Sequence, residues 1–167
     1  MPPHRVWLML AFSTFACSGR PGGAVLTPSD TAAHLHRTQA SGSQERFRLV
    51  IRDRASYGRL MDKLTTVVDR GVDASVDFRR SEVIAVSFGQ IGGYGPAISV
   101  DSVIDTRGER RIVVRRISSG GCPEGAAVTN PIDIVVVPAS PPSTTVRWDE
   151  RESTRGDCGD PLWNIHP

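Results

Sequence analysis

Cysteine, histidine and aromatic residues are scarce here: three cysteines, four histidines and 6% aromatics among 167 residues. The histidines are His4, His34, His36 and His166, all in the terminal stretches. None therefore stands in the regularly patterned part of the chain, where a general base or metal ligand would be held rigidly. Runs of like charge are also missing. The 20 basic and 18 acidic residues leave a net charge of +2, and the scattered arginines form no stripe of the kind that reads nucleic acid. No GxSxG, HExxH, GxGxxG or phosphate loop ending in Gly-Lys-Ser/Thr occurs. The reading is a non-enzyme without cofactor, metal or nucleic acid. His34-x-His36 supplies only two ligands of an incomplete set. Asp53, Asp69, Asp101, Asp105, Glu109 and Asp133 fall at turns or alternate strand positions, which reads as solvated carboxylates rather than a catalytic pair. The length allows one packed domain and not two.

Residues 1–16 (MPPHRVWLMLAFSTFA) place Arg5 before an apolar run from Val6 to Ala16. That run is too short for a transmembrane helix and fits a secretory signal peptide. Thr14-Phe15-Ala16-Cys17 is similar to a bacterial lipobox, in which Cys17 would be lipidated; ordinary cleavage near Ala16 is the alternative. Ser18 after the cysteine matches outer-membrane sorting in a Gram-negative envelope. Residues 17–44, rich in Gly, Ser, Thr and Ala, read as the lipid anchor and a flexible tether. If Cys17 carries lipid, Cys122 and Cys158 remain as an even pair expected to form a disulfide. Such a bridge would stabilise by roughly 3 to 4 kcal/mol on a chain-entropy account.

The domain is expected over residues 45–140. Val, Ile and Thr crowd short runs separated by most of the 16 glycines and 12 prolines, a composition suited to strands. Phe47, Leu49 and Ile51 alternate with arginines as a half-exposed strand. Ser56 is expected to cap a helix with the stripe Tyr57, Leu60, Met61, Leu64 and Val68, ended by Gly71. The segment 82–88 reads as a strand buried on both faces, forming a hairpin with a strand through Ile98, Val100 and Ile104. Arg107-Gly108-Glu109 then turns into 111–117. Residues 118–130 read as a loop, and 132–137, between Pro131 and Pro138, as the last strand. Residues 141–167 read as a tail held by Cys158. The fold class is mainly β, bordering on α+β: an antiparallel sheet or sandwich with one helix packed against it.

The densest turn signal is Gly89-Gln90-Ile91-Gly92-Gly93-Tyr94-Gly95-Pro96. Its plain reading is a hairpin with positive φ at the glycines. Its functional reading is a partner-binding loop, Gln90, Ile91, Gly92, Gly93 and Tyr94, offering an aromatic anchor from the end of a rigid sheet.

Val76-Asp77-Phe78, Glu82 to Gly89, Gly92-Gly93-Tyr94, Ile98-Ser99-Val100 and Ile134 to Pro138 together resemble the PrcB C-terminal domain family of secreted or lipid-anchored bacterial proteins. Gln90-Ile91 stand where that family usually carries Pro-Thr. The resemblance implies a noncatalytic accessory role, stabilising or assembling a protease at the cell surface. The partners expected are thus a protein, with a protease as the first candidate, and the membrane through the N-terminal anchor. Two other readings stay open: a protease inhibitor of chagasin-like type, and a structural envelope protein.

Overall fold

The computed structural model describes residues 24–26, 33–64, 76–121, 125–155 and 158, with backbone alone for 24–26, 33, 94, 125 and 126. The expected signal peptide, Cys17, Asp69, Val68, Gly71 and Cys122 lie outside the described residues. Ten strands and one helix are present among those described: β1 (Ala24–Leu26), β2 (Ala33–Thr38), β3 (Arg46–Ile51), α1 (Arg54–Lys63), β4 (Ser81–Phe88), β5 (Ile91–Tyr94), β6 (Ala97–Thr106), β7 (Glu109–Ser118), β8 (Gly125–Thr129), β9 (Ile132–Pro138) and β10 (Thr145–Thr154). The fold is mainly β, with mostly antiparallel sheets.

The strands form two four-stranded sheets, ordered β1-β6-β7-β10 and β2-β9-β4-β3, and a separate ribbon, β5-β8. Three layers result. Ile84 and Val86 of β4 and Val135 and Val137 of β9 meet Val100, Val103, Ile112 and Val114 of the first sheet. On the opposite face of the second sheet, Val83, Ala85, Ile132 and Ile134 meet Tyr57, Leu60 and Leu64 of the helix. Strand β4 is therefore buried on both faces, as its unbroken apolar run requires.

The helix keeps the expected stripe, but its boundaries differ. Asp53, not Ser56, is the N-cap, accepting from Ser56 N at 2.8 Å. An aspartate one position before the helix satisfies an otherwise orphan amide more directly than a serine inside its first turn. The helix closes at Leu64, ahead of the expected end.

The expected hairpin between the 82–88 and 98–104 strands does not form. β4 pairs with β3 and β9, whereas β6 pairs with β7 and β1 in the facing sheet. Segments 82–88 and 97–106 touch through side chains across the sandwich, so both carry apolar patterns without sharing a ladder. A bulge between Val100 and Ser102 also shifts the phase of β6. Val100 and Val103 thus share the core face, and Ile104 does not. The β6–β7 hairpin forms as expected, reversing at Gly108 with φ +84°.

Three stretches read as irregular contain strands. The supposed tether contains β1, antiparallel to β6, and β2, antiparallel to β9. Residues 125–129, read as loop, form β8. The supposed tail contributes β10, which runs parallel to β7 along its whole length. Only Val146 and Trp148 of β10 reach the core. Its other inward position, Glu150, receives Arg46 at 2.6 Å and also Arg48 from β3. Charged inward residues at a sheet rim are compatible with an edge strand, and they erase the apolar alternation that identifies one.

Candidate partner-binding site

Strand β5 contains four of the five residues expected to bind a partner; Gln90 immediately precedes it. These residues do not form a simple hairpin tip. Ile91 pairs with Thr129, Gly92 with Val128 and Tyr94 with Gly125, with a register shift at Gly93. Gly93 takes φ +94°, one of the expected positive values, while Gly92 does not. Thr129 donates its hydroxyl to Gly93 O at 3.1 Å, bracing the irregular residue. The side chain of Tyr94, the expected anchor, lies outside the described residues.

The ribbon presents a small surface of backbone and one aliphatic side chain. Val128 is 64% exposed, the larger of the two exposures among exposed bulky hydrophobics. Gly92 opposite it is exposed, and a Cβ built there would meet nothing within 4 Å. Ile91 is half-buried and Gln90 is exposed.

The base of the ribbon is held by residues 39–44, all within the supposed tether. Gln90 N donates to Gln44 O at 3.2 Å, and Gln39 Nε2 to Pro96 O at 3.3 Å. Asn130, at the end of β8, donates N to Gln39 O at 2.7 Å and Nδ2 to Ser43 O at 2.8 Å. The buried Ser41 donates its hydroxyl to Asn130 O at 2.7 Å. Gly89 packs so closely here, at φ +72°, that a Cβ would lie 2.8 Å from Arg46 N and from Gln44 O. Such a bonded base suits a rigid presenting surface.

Two buried ionic clusters overturn the reading of scattered, solvated charges. Asp133 is fully buried. It accepts from Val100 N at 2.7 Å, pairs with His34 Nδ1 at 2.9 Å and accepts from Arg37 Nε at 3.3 Å. Arg37 Nη2 also donates to Ser99 Oγ at 3.2 Å. His34 and His36 stand in β2 and so inside the domain, contrary to the sequence reading. Burial holds the His36 imidazole below its ordinary pKa, against the opposing charge of Asp133.

In the second cluster the buried Arg110 donates Nε to Asp105 at 2.6 Å and Nη1 to the buried Glu82 at 2.5 Å. Glu82 also accepts from Arg52 Nε at 3.0 Å and Ser140 Oγ at 3.1 Å. Burial alone would lower the Arg110 pKa; hydrogen bonds and charge from Asp105 and Glu82 outweigh it and raise the value. Sequence reasoning missed this group, although a Glu followed by the unbroken run from Val83 to Val86 signals a carboxylate entering a core.

A groove of about 530 Å³ lies beside the helix start, lined by Arg52, Arg54, Phe78 and Arg79 among others. Arg52 is committed to Glu82, and Arg54 donates to Val76 O at 3.0 Å while lying over the Phe78 ring. Two of its cations, Arg52 and Arg54, thus serve the fold.

Among the described residues, no three His, Cys, Asp or Glu side chains converge as a metal site, and no helix is long and apolar enough to cross a membrane. Cys158 is disulfide-bonded; its expected partner Cys122 lies outside the described residues. Comparisons with protein-family models, curated proteins and solved structures find no match for this chain.

Proposed function

We propose that the protein is a noncatalytic binding module of the bacterial cell envelope, engaging a protein partner through the β5–β8 ribbon. The observation that carries the reading is the ribbon itself. It stands apart from both sheets, is hydrogen-bonded at its base, and sets the exposed Val128 beside the open backbone of Gly92. A small rigid patch with one aliphatic contact and accessible main chain suits docking of another protein's surface.

The resemblance to the PrcB C-terminal domain family supports a surface protease as that partner, with this chain stabilising or assembling it. The lipobox-like Thr14 to Cys17 supports a lipid anchor at Cys17, and Cys122 is proposed as the second half of the Cys158 disulfide.

Crosslinking pull-down from native membranes tests this reading, comparing wild type with Gly92→Arg and Val128→Glu. Both substitutions fall on exposed positions, so folding should be retained and can be verified by circular dichroism. Recovery of a protease with wild type, and its loss with both variants, is the expected result. Equal capture of the same envelope proteins by all three chains would reject the ribbon as the contact and favour a structural role.

A further inference from the structure

Outside the ribbon, β10 forms one rim of the first sheet. This strand is ten residues long, ends the sheet order β1-β6-β7-β10, and pairs on one side with β7. Its other edge has no partner strand among the described residues. An edge of this length carries a row of unused amides and carbonyls able to template another strand. Arg147 is 63% and Asp149 29% exposed in their side chains; the two lie on one face of the strand, 3.1 Å apart. Trp148, between them on the opposite face, is only partly buried against the core.

We propose that β10 is a self-association edge, joining two copies of this chain in an antiparallel strand pair centred on Trp148. The charge order selects both the occupant and the register. In a two-fold antiparallel pair, facing residues share a side of the sheet, so the axis must pass between two copies of the same residue. With Trp148 at the axis, Arg147 faces Asp149 of the second copy and Asp149 faces its Arg147. Val146 then faces Glu150, Thr145 faces Arg151, and no like charges meet.

Neighbouring registers fail. Centring on Asp149 opposes Asp149 to itself and Arg147 to Arg151. Centring on Glu150 pairs Asp149 with Arg151 but opposes two glutamates, and centring on Arg147 opposes two arginines; only the Trp148 register has attractive pairs and no like pair. Cross-strand charge pairs of opposite sign stabilise antiparallel ladders, and like pairs directly opposite destabilise them. The same mixed charges discourage other strands from adding to this edge. The Trp148 register also brings the two partly exposed indoles together, covering apolar surface on the core side of the joined sheet.

Sedimentation velocity over a concentration series tests the proposal on the full chain carrying Cys17→Ser, so that an acyl anchor cannot gather copies. The wild-type edge should show a monomer–dimer equilibrium. Arg147→Asp or Asp149→Arg alone should raise the dissociation constant by about tenfold or more, because two attractive pairs become two repulsive ones. The double exchange Arg147→Asp/Asp149→Arg should restore dimerisation, since the complementary order is rebuilt. Concentration-dependent hydrogen-exchange protection confined to β10 amides gives a second readout on the unsubstituted edge. A wild type that stays monomeric throughout, single variants that associate as well as wild type, or a double exchange that fails to recover would each overturn the proposal.

Discussion

Glu82 of β4 and Arg110 of β7 form a buried ion pair across the two sheets, with Nη1 2.5 Å from Oε1. Neither side chain exceeds 1% exposure. The pair is not isolated, since Asp105, Arg52 and Ser140 complete its hydrogen bonding. Removing one partner leaves the other's charge only partly compensated in the core, while removing both takes both charges out of it. Glu82→Leu or Arg110→Met alone should each lower stability by about 3 to 5 kcal/mol, and the double substitution by clearly less than their sum. Urea unfolding of the three variants measures the difference. Additive losses would show that the two side chains act independently.

At another inter-sheet contact, Asp133 ties β2 and β6 to β9. Asp133→Ala would leave Val100 N without its acceptor and deprive His34 and Arg37 of their carboxylate, at a cost of about 3 kcal/mol or more. The damage should concentrate on β2, an edge strand. Hydrogen exchange should therefore show amides 33–38 losing protection before those of β4. Uniform loss across the domain would mean that Asp133 supports the whole sandwich rather than this strand.

The depressed His36 pKa has a defined consequence for pH. Its folded state binds a proton less readily than its unfolded state, so the unfolded chain takes up protons first as pH falls. Stability contributed by neutral His36 is complete above about pH 6.5 and declines below it, until the folded value is passed. Thermal unfolding between pH 7.5 and 5 should show this loss, and His36→Gln should flatten it. Asp53 acts in a lower window. Its carboxyl is held below the ordinary value by hydrogen bonds from Ser56, first its amide and then its hydroxyl, so its contribution is present above about pH 4 and disappears as pH falls through the folded value.

Two glycines should respond oppositely to alanine. Gly89 combines φ +72° with backbone atoms 2.8 Å from a built Cβ, so Gly89→Ala forces the main chain at the base of the ribbon to move. A loss of about 2 kcal/mol or more is expected. Gly58 lies inside α1 with nothing within 4 Å of its Cβ. Gly58→Ala should stabilise by about 0.5 to 1 kcal/mol, by removing backbone freedom from the unfolded chain. Paired thermal melts would check both signs.

The parts of the fold visible in sequence are those where one rule acts alone. The helical stripe Tyr57, Leu60 and Leu64, the apolar runs of β4 and β9, and the reversal at Gly108 follow from local periodicity and backbone freedom. The hidden parts are those where two rules conflict. The bulge in β6 replaces Ile104 with Val103 in the core. Strand β10 turns Glu150 inward because arginines of β3 await it. Strand β2 carries His34 and Arg37 where an apolar pattern would be expected, because Asp133 lies beneath them. Of the candidate site, the position of residues 90–94 was legible from the glycine cluster. Its pairing with residues 125–129 was not, since two short segments separated by a hairpin share no local signal.

By itself the sequence determined a mainly β domain with one amphipathic helix and a glycine-rich presenting segment, because apolar period, turn residues and strand propensity act over a few neighbours. Only the tertiary structure decided which strands pair, that the supposed tether and tail belong to the sheets, and that Glu82, Arg110 and Asp133 are buried. The reason is desolvation. A carboxylate and a guanidinium can enter a core only where each finds its counter-charge, and those partners come from strands distant in the chain, brought into reach by the stacking of two sheets.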